Sequence, residues 1–351
     1  MTSAIITGIT GQDGSYLAEL LLSRSIRVVG VRRRASSPNL GRIEHLLRNP
    51  LFQLEEGDIS DPHYVLSSLL NHKPTYVFNL AAQSHVHTSF SQPAYTFDVT
   101  GKAVLNYLEA IRMVDKNIRF YQASSSEMFG NSVSYIERDI YPSRIDTYFD
   151  SSVVNEDIFQ DEYTPFNPQS PYAIAKLAAH HLVRLYRESY GLFACSGILF
   201  NHESERRGDQ FVTKKITNYI KMLNFVKDST QSVDFAYKYA ERHPLELGNL
   251  SACRDWGHAE DYVRAMLLIL EHEKPDDYVI GTGETHSVEE FLMRAFDMVK
   301  MDAKKCVVIK EALFRPSEVP FLKAKPEKAN SILEWKPKIS FDKLIERMVY
   351  K

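Results

Sequence analysis

The stretch from Ala4 to Gly14 limits what this chain can fold into more than any other. Ala4, Ile5 and Ile6 form an apolar run. Gly8, Ile9, Thr10, Gly11, Gln12, Asp13 and Gly14 follow, and a segment with apolar residues at helical spacing begins at Ser15. The pattern predicts a buried strand, a tight turn and a helix N-terminus whose free N–H groups can hold a phosphate. Glycines let the backbone turn sharply and approach an anion with no Cβ in the way. The spacing of Gly8, Gly11 and Gly14 is a variant of the dinucleotide-binding fingerprint. A glycine-rich surface turn without a ligand has the same local composition, so the rest of the chain must decide.

The rest of the chain repeats the alternation. Apolar runs at 27–31, 52–58, 76–82, 118–124 and 193–200 read as strands, and helical spacing appears between them, notably over 94–113 and 172–190. Strands alternating with helices predict a doubly wound, Rossmann-type parallel sheet with ligands outside the carboxyl ends of its strands. The rhythm breaks at 131–164, which is rich in Tyr, Asp, Ser and Glu and is read as an insertion loop. It changes again beyond Asn201, where Arg206, Arg207, Lys214 and Lys215 cluster and 228–243 is polar and aperiodic. The expected division is a nucleotide-binding domain of 1–200 plus about 246–272, and a smaller substrate lobe of about 201–245 and 273–351.

With 351 residues the chain can bury a sizeable core, and a net charge of -3 gives no reason to expect a nucleic acid or an anionic membrane as partner. Three widely separated cysteines, Cys195, Cys253 and Cys306, suggest reduced thiols. No apolar run reaches the roughly 20 residues a membrane helix needs, and the chain opens directly into its first strand. The expectation is a cytoplasmic protein without a signal peptide.

The second strand is followed by Arg32, Arg33 and Arg34, with Ser36 and Ser37 close behind and no carboxylate before Glu44. A carboxylate at that strand end favours the free ribose of NAD, whereas arginine accommodates the 2′-phosphate of NADP. NADP is therefore the expected cofactor, although a solvated basic loop would look similar.

Tyr172 and Lys176 stand four residues apart on one helix face, and of the 19 tyrosines only Tyr172 has a lysine at that spacing. A phenol is a poor base near neutrality. A neighbouring ammonium and an oxidised nicotinamide would stabilise its phenolate, letting it take the proton of a substrate alcohol while hydride leaves. Ser124, Ser125, Ser126 and Glu127 follow the fifth strand. They supply hydroxyls and a second acid/base at the sheet edge, or else a serine-rich strand end with an exposed Glu. His202 and Arg207 flank Glu203, Ser204 and Glu205 without metal-ligand spacing, so no metal is expected. Arg254 and Arg315 each stand in polar, turn-like sequence, suited either to a diphosphate or to a surface ion pair.

Taken together, the stretches TGITGQDGSYLAELLL, RRRASSPNLGRIEHL, NLAAQSHV, YQASSSEMFG, SPYAIAK, LFNHES, RRG, LGNLSACRDWGHAEDYV and FRPSEV resemble the extended short-chain dehydrogenase/reductase superfamily. Within it they resemble the GDP-mannose 4,6-dehydratase family, over almost the whole chain. The resemblance implies oxidation at C4 of GDP-mannose, loss of water across C5–C6 and hydride return to C6, with bound NADP. It implies Tyr172 as base on the 4-hydroxyl, Ser125 holding that hydroxyl, Glu127 removing the C5 proton, and Lys176 on the cofactor ribose.

By the same resemblance the cofactor contacts are Gly8 to Gly14, Arg33, Arg34, Ala35, Ser36, Asp58, Ile59, Leu80, Ala81, Ala82, Gln83, Ser84, Tyr95, Tyr172, Lys176, His202 and Arg207. Ser84, Ser126, Asn201, Lys215, Arg254, Arg315 and Glu318 are implied for the sugar nucleotide. A homodimer or homotetramer is implied too, with the basic loop near a neighbouring subunit's cofactor. The chain departs from the family in having Ser125 where Thr is usual. Tyr172 stands 45 residues after Glu127, about double the usual gap, which makes 131–164 an insertion; a second falls at 228–243. Lys325 also departs from the usual Gly-Asp pair. A related nucleotide-sugar dehydratase or epimerase, and an NADP-binding regulatory protein without turnover, are the competing expectations.

Overall fold

The computed structural model describes residues 2–36, 39–135 and 158–351. Seven parallel strands form the main sheet: β1 (Ser3–Thr7), β2 (Arg27–Arg32), β3 (Phe52–Glu56), β4 (Tyr76–Asn79), β5 (Arg119–Ser125), β6 (Ala194–Leu199) and β7 (Asp277–Ile280). Their spatial order is β7-β6-β5-β4-β1-β2-β3. The order reverses direction between β1 and β4, which is where a doubly wound sheet opens its ligand crevice. Register pairs Ile6 with Gly30 on one side and with Phe78 on the other.

Successive strand residues point to opposite faces, and both faces are covered. Ala4, Ile6 and Phe78 pack with α1 (Gln12–Ser23) and α7 (Ala259–Glu271). Ile5, Val29 and Val77 pack with α2 (Pro62–His72), α3 (Ala103–Val114) and α4 (Pro171–Tyr190). Double coverage explains why the strands read as near-continuous apolar runs. The helical stretch expected over 94–113 is interrupted by a π-helical segment, Asp98–Lys102, before α3. A Cβ at Gly101 would lie 3.1 Å from the Ala175 carbonyl, so this glycine lets the segment press against α4 between Tyr172 and Lys176.

A second core joins α5 (Val212–Thr230), α6 (Val233–Arg242), α8 (Val288–Met298) and α9 (Phe341–Tyr350) around Trp256, Leu245 and Leu247. Two features differ from the sequence reading. The stretch 228–243 is not aperiodic: Ser232 caps α6, and Ala236 and Ala240, one turn apart, are buried against the lobe. The division of the chain also shifts. Asp277–Ile280, expected in the lobe, is the edge strand of the main sheet, whereas Leu245–Leu247 pairs with Val307–Ile309 in the smaller body. Of the expected insertion at 131–164, the stretch 136–157 lies outside the described residues. Its flanks pair as Ser134–Tyr135 against Ile158–Phe159.

Candidate active site

The strand ends are held in place by a buried polar ladder. Thr7 Oγ1 donates to Asn79 Oδ1 at 2.8 Å and accepts the amides of Leu80 and Ala81 at 3.0 Å. Asn79 Nδ2 donates to Gln122 Oε1 at 2.8 Å, and Gln122 Nε2 to the Ala123 carbonyl at 3.0 Å. Buried polar groups must find such partners; here they tie β1, β4 and β5 together at their carboxyl ends. A cleft of about 420 Å³ opens there, between the sheet and the smaller lobe.

One wall is the glycine turn. Gly8 has φ +69°, and a Cβ on Gly14 would lie 2.5 Å from the Gly8 carbonyl oxygen. α1 starts from Gly11 with no side-chain cap on its first amides. Such a helix start, with glycines where side chains would block the approach, fits the diphosphate of a dinucleotide. Asp13 meets His202 Nε2 at 2.8 Å, and His202 Nδ1 donates to the Phe200 carbonyl at 2.8 Å. Burial opposes the charge on Asp13, yet His202, Gln12 and Arg207 hold its carboxyl down at about 2. Burial likewise opposes protonation of His202, and Asp13 outweighs it, so the imidazole is held above its ordinary value.

The opposite wall carries the acid/base set. Ser170 caps α4 through the Ala173 amide at 3.1 Å, which sets Tyr172 in the first turn and Lys176 one turn later. Lys176 Nζ donates to the Ala123 carbonyl at 2.6 Å and lies 5.8 Å from the centre of the Tyr172 ring. Ser125 accepts the Glu127 amide at 3.3 Å, and its hydroxyl acts on the Tyr172 phenol to favour the phenolate.

The expected depression of the Tyr172 pKa is not present in the protein alone. Burial pushes the phenol up to about 12, Glu127 adds to the rise, and Ser125 and Arg207 oppose it. Burial also pulls the Lys176 ammonium down to about 8, against the pull of Asp13. Desolvation is the larger effect at this depth.

Cations line the rest of the cleft. Arg315 Nη1 is 3.5 Å from both Glu127 and Glu318, and Arg254 Nη2 donates to Glu318 at 3.0 Å. Asp255 fixes Arg254 in place by accepting from Thr282 N, Thr282 Oγ1, Gly283 N and Ala324 N at 2.8, 2.8, 2.9 and 3.1 Å. Arg207 pairs with buried Glu203 at 3.0 Å.

Gly8, Gly11, Gln12, Asp13, Gly14, Leu80, Ala82, Ser84, Ser126, Asn201, His202, Arg207, Lys215, Arg254, Arg315 and Glu318 all line this cleft with the catalytic set. The other expected contacts lie elsewhere. Ile9 is fully buried in the core beneath β2, leaving only its backbone for a ligand. Ile59 is buried in the opposite core, and Asp58 turns its carboxylate to the Ser60 amide at 2.9 Å. Thr10 accepts from Arg42 Nη1 at 3.3 Å, and the Gln83 amide is committed to Thr100. Ala81 packs at the edge of the second-face core. Arg34, Ala35 and Ser36 are exposed outside the cleft, and Arg33 hydrogen-bonds Tyr95 and stacks on its ring at 5.7 Å.

Sequence reasoning missed His85, His87, Phe211 and Glu246, which also line the cleft. The histidines stand at the start of the helix that follows the loop after the fourth strand, on the carboxyl side of the sheet, a signal present in NLAAQSHVH. Phe211 and Glu246 carry none, since only packing brings the lobe over the sheet. The described residues contain one cluster of metal-ligand type, Glu205, His258 and Glu260. The Arg347 guanidinium sits in it, at 3.0 Å from Glu205 and 2.7 Å from Glu260, and supplies the positive charge.

Residues 4–281 match the NAD dependent epimerase/dehydratase family. The chain is 46% identical to GDP-mannose 4,6 dehydratase 1 of Arabidopsis thaliana, covering 99% of this chain and 88% of that protein. It is 41% identical to GDP-mannose 4,6 dehydratase of Homo sapiens (99% and 90%) and 40% identical to that of Vibrio cholerae (99% and 92%). Among solved structures, dTDP-glucose 4,6-dehydratase from Bacillus anthracis in complex with NAD shares the fold with TM-score 0.77 at 17% identity (99% and 96%). RMD from Pseudomonas aeruginosa complexed with NADPH does so with TM-score 0.69 at 21% identity (99% and 98%). With its glycine turn, its Tyr172–Lys176 pair and full-length similarity at this level, the chain belongs to the NAD dependent epimerase/dehydratase family, and within it to the GDP-mannose 4,6-dehydratases.

Proposed function

We propose that this protein converts GDP-mannose to GDP-4-dehydro-6-deoxy-mannose, with NADP as a cofactor that stays bound through the cycle. The observation that carries the reading is 40–46% identity to GDP-mannose 4,6-dehydratases across 99% of the chain. The second acid/base, Glu127 beside Ser125 and Tyr172, separates water elimination from simple oxidation or epimerisation at C4.

Ser125 orients the 4-hydroxyl toward Tyr172, whose phenolate oxygen takes the hydroxyl proton. The chemistry that NADP would supply when held in this cleft is that of a reversible hydride acceptor, serving oxidation at C4 and reduction at C6. The resulting 4-ketone acidifies the C5 proton, which the Glu127 carboxylate removes. One of the two abstracted protons leaves with the C6 hydroxyl as water and the other is restored at C5, so the reaction balances without added reductant. Arg254, Arg315 and Lys215 hold the diphosphate, with Ser84, Ser126, Asn201 and Glu318 completing the sugar-nucleotide contacts. The turn from Gly8 to Gly14, with Asp13 and His202 behind it, holds the cofactor diphosphate. Lys176 meets the ribose, and Leu80, Ala82, Ser84 and Arg207 border the nicotinamide end.

The preference for NADP over NAD rests on Arg33 and Arg34 with Ser36 after β2. The assembly is a homodimer or homotetramer, with this basic loop reaching a neighbouring subunit's cofactor. The place of action is the cytosol, in keeping with three unpaired cysteines; no helix among the described residues is long and apolar enough to cross a membrane. Incubating the purified protein with GDP-mannose and NADP, then weighing the product by mass spectrometry, tests the function. Loss of one water without added reductant is expected. GDP-mannose left unchanged while another nucleotide sugar is consumed would reassign the substrate.

A further inference from the structure

We propose that His180 is a positioning residue for the reaction: its imidazole accepts the Ser124 hydroxyl and so ties the strand end that carries Ser125 and Glu127 to the helix that carries Tyr172 and Lys176. The inference rests on the dehydratase reading. Tyr172, Lys176 and His180 follow one another at four-residue steps on α4, and all three are buried. The first two line the cleft. His180 stands one turn further along, 5% exposed, with its Nδ1 3.2 Å from the Oγ of Ser124, which is 4% exposed. Ser124 comes immediately before Ser125 on β5 and itself borders the cleft. The helix therefore grips this strand end twice. Lys176 Nζ holds the Ala123 carbonyl at 2.6 Å, and His180 holds the next residue.

The far side of the ring decides which partner donates. His180 Nε2 lies 3.9 Å from Asp277 Oδ2 on the edge strand β7. Asp277 is fixed by Arg187, whose Nη1 and Nη2 meet its two oxygens at 3.0 and 2.6 Å, and by the Ser196 amide at 2.9 Å. Burial opposes the charge on Asp277, yet Arg187 and His180 outweigh it and hold the carboxyl below its ordinary value. Burial pulls the His180 imidazole down to about 4 against the pull of Asp277, and His181, Arg187 and Arg184 add to the fall. The ring is therefore neutral. A neutral ring beside a carboxylate keeps its hydrogen on the nearer nitrogen, Nε2, which leaves the Nδ1 lone pair to accept from Ser124.

The same ring braces the other end of the acid/base segment. It meets Phe166 edge-on at 5.3 Å, and Phe166 packs on Phe129 at 5.2 Å. Ser125, Ser126 and Glu127 lie between these two anchors, Ser124 and Phe129. Glu127 is itself loosely held, its carboxylate facing Arg315 at 3.5 Å and its amide reaching Ser125 Oγ at 3.3 Å. The reach of Glu127 to C5, and of Ser125 to the 4-hydroxyl, thus depends on where the backbone of 124–129 is fastened.

The test compares wild type with four variants. His180→Phe keeps a ring against Phe166 without an acceptor, and His180→Asn restores an acceptor near the place of Nδ1. Ser124→Ala removes the donor, and His180→Phe is also combined with Ser124→Ala. Turnover of GDP-mannose is measured beside calorimetric affinities for GDP and NADP. His180→Phe and Ser124→Ala should each lose about ten- to hundredfold in kcat, the scale of a small misplacement of reacting groups, with both affinities within about twofold of wild type. The double variant should lose no more than the worse single one, because both changes break one contact. His180→Asn should recover most of the loss. Any of three results overturns the assignment: kcat within about twofold of wild type in either single variant, losses that multiply in the double variant, or an Asn variant no better than Phe. If His180→Phe does not fold, Ser124→Ala decides by the same threshold. Nitrogen NMR of histidine-labelled protein without substrate reads the bond itself. A neutral ring with hydrogen on Nε2, whose Nδ1 signal moves in Ser124→Ala, is expected; hydrogen on Nδ1 near neutral pH overturns it. Failure of the reaction reading has a separate signature: this NMR result in a wild-type protein that leaves GDP-mannose intact supports the Ser124 contact and removes the dehydratase.

Discussion

His202 Nε2 lies 2.8 Å from the Asp13 carboxylate, so the strand end after β6 is fastened by an ion pair to the first turn of α1. Because His202 Nδ1 is committed to the Phe200 carbonyl, both ring nitrogens face acceptors and the ring is held as the imidazolium. Asp13, held at about 2, contributes stability above its ordinary 3.8 and loses it as pH falls toward 2. His202, raised above its ordinary 6.5, contributes fully below that value and loses its contribution as pH rises through the elevated one. The pair therefore stabilises the fold most between about pH 4 and 6.5. Asp13→Asn should lower Tm most in that window, with the gap to wild type narrowing toward pH 9. A gap that stays constant from pH 5 to 9 would show that the pair is not ionised.

Gly14→Ala places a Cβ 2.5 Å from a backbone oxygen, where no side chain can move aside. It should cost about 1–3 kcal/mol of stability and weaken NADP binding more than GDP binding. Paired calorimetric titrations read the difference. Equal loss for both ligands would place the cofactor diphosphate somewhere other than the glycine turn.

Arg33, stacked on Tyr95 and otherwise exposed, is the group expected to meet the 2′-phosphate. Arg33→Ala should weaken NADP by about ten- to hundredfold, the worth of a charge-assisted contact, while NAD changes little. Fluorescence titration with both cofactors measures this. A variant that keeps its NADP preference would move the phosphate site to another residue.

Tyr172→Phe and Glu127→Gln should each reduce turnover by about 10²–10⁴-fold, the usual worth of a positioned acid or base. Both should bind GDP as tightly as wild type. They differ in solvent exchange: in heavy water wild type places deuterium at C5 of the product. A Glu127→Gln enzyme that still exchanges at C5 at the wild-type rate removes Glu127 from that step.

In the cofactor-free protein the Tyr172 phenol should titrate near 12, the value set by its burial. Ultraviolet difference titration of wild type against Tyr172→Phe isolates its phenolate signal. Adding NADP should move that transition downward, since a positive ring against the phenol favours the phenolate. An identical transition with and without NADP would leave Tyr172 without the activation its role requires.

Much of the site is legible in the sequence because its parts sit at strand ends and on one helix face. Gly8, Ser125 and Glu127 follow apolar strand runs directly, and Tyr172 and Lys176 are joined by helical period, so local rules place them. Asp58 and Ile59 show where that logic stops. Both follow the third strand, yet Asp58 closes a local turn and Ile59 enters the far core. The short strand Asp277–Ile280 escapes for the opposite reason: four buried residues carry too little pattern to separate a sheet edge from the lobe that surrounds them in sequence.

The sequence alone determined the alternation of strands and helices, the glycine turn and the Tyr172–Lys176 pair. All of these depend on contacts within a few residues, which spacing encodes. Only the tertiary structure decided which distant charges are engaged. Asp13 finds its cation at His202 and Glu318 at Arg254, and these pairings join residues far apart in the chain. The same holds for the electrostatics of the glycine turn. Its Asp13 is held ionised by His202, nearly two hundred residues away, and the Tyr172 phenol is pushed up rather than down. Both follow from how deeply each group is buried and what the fold places beside it.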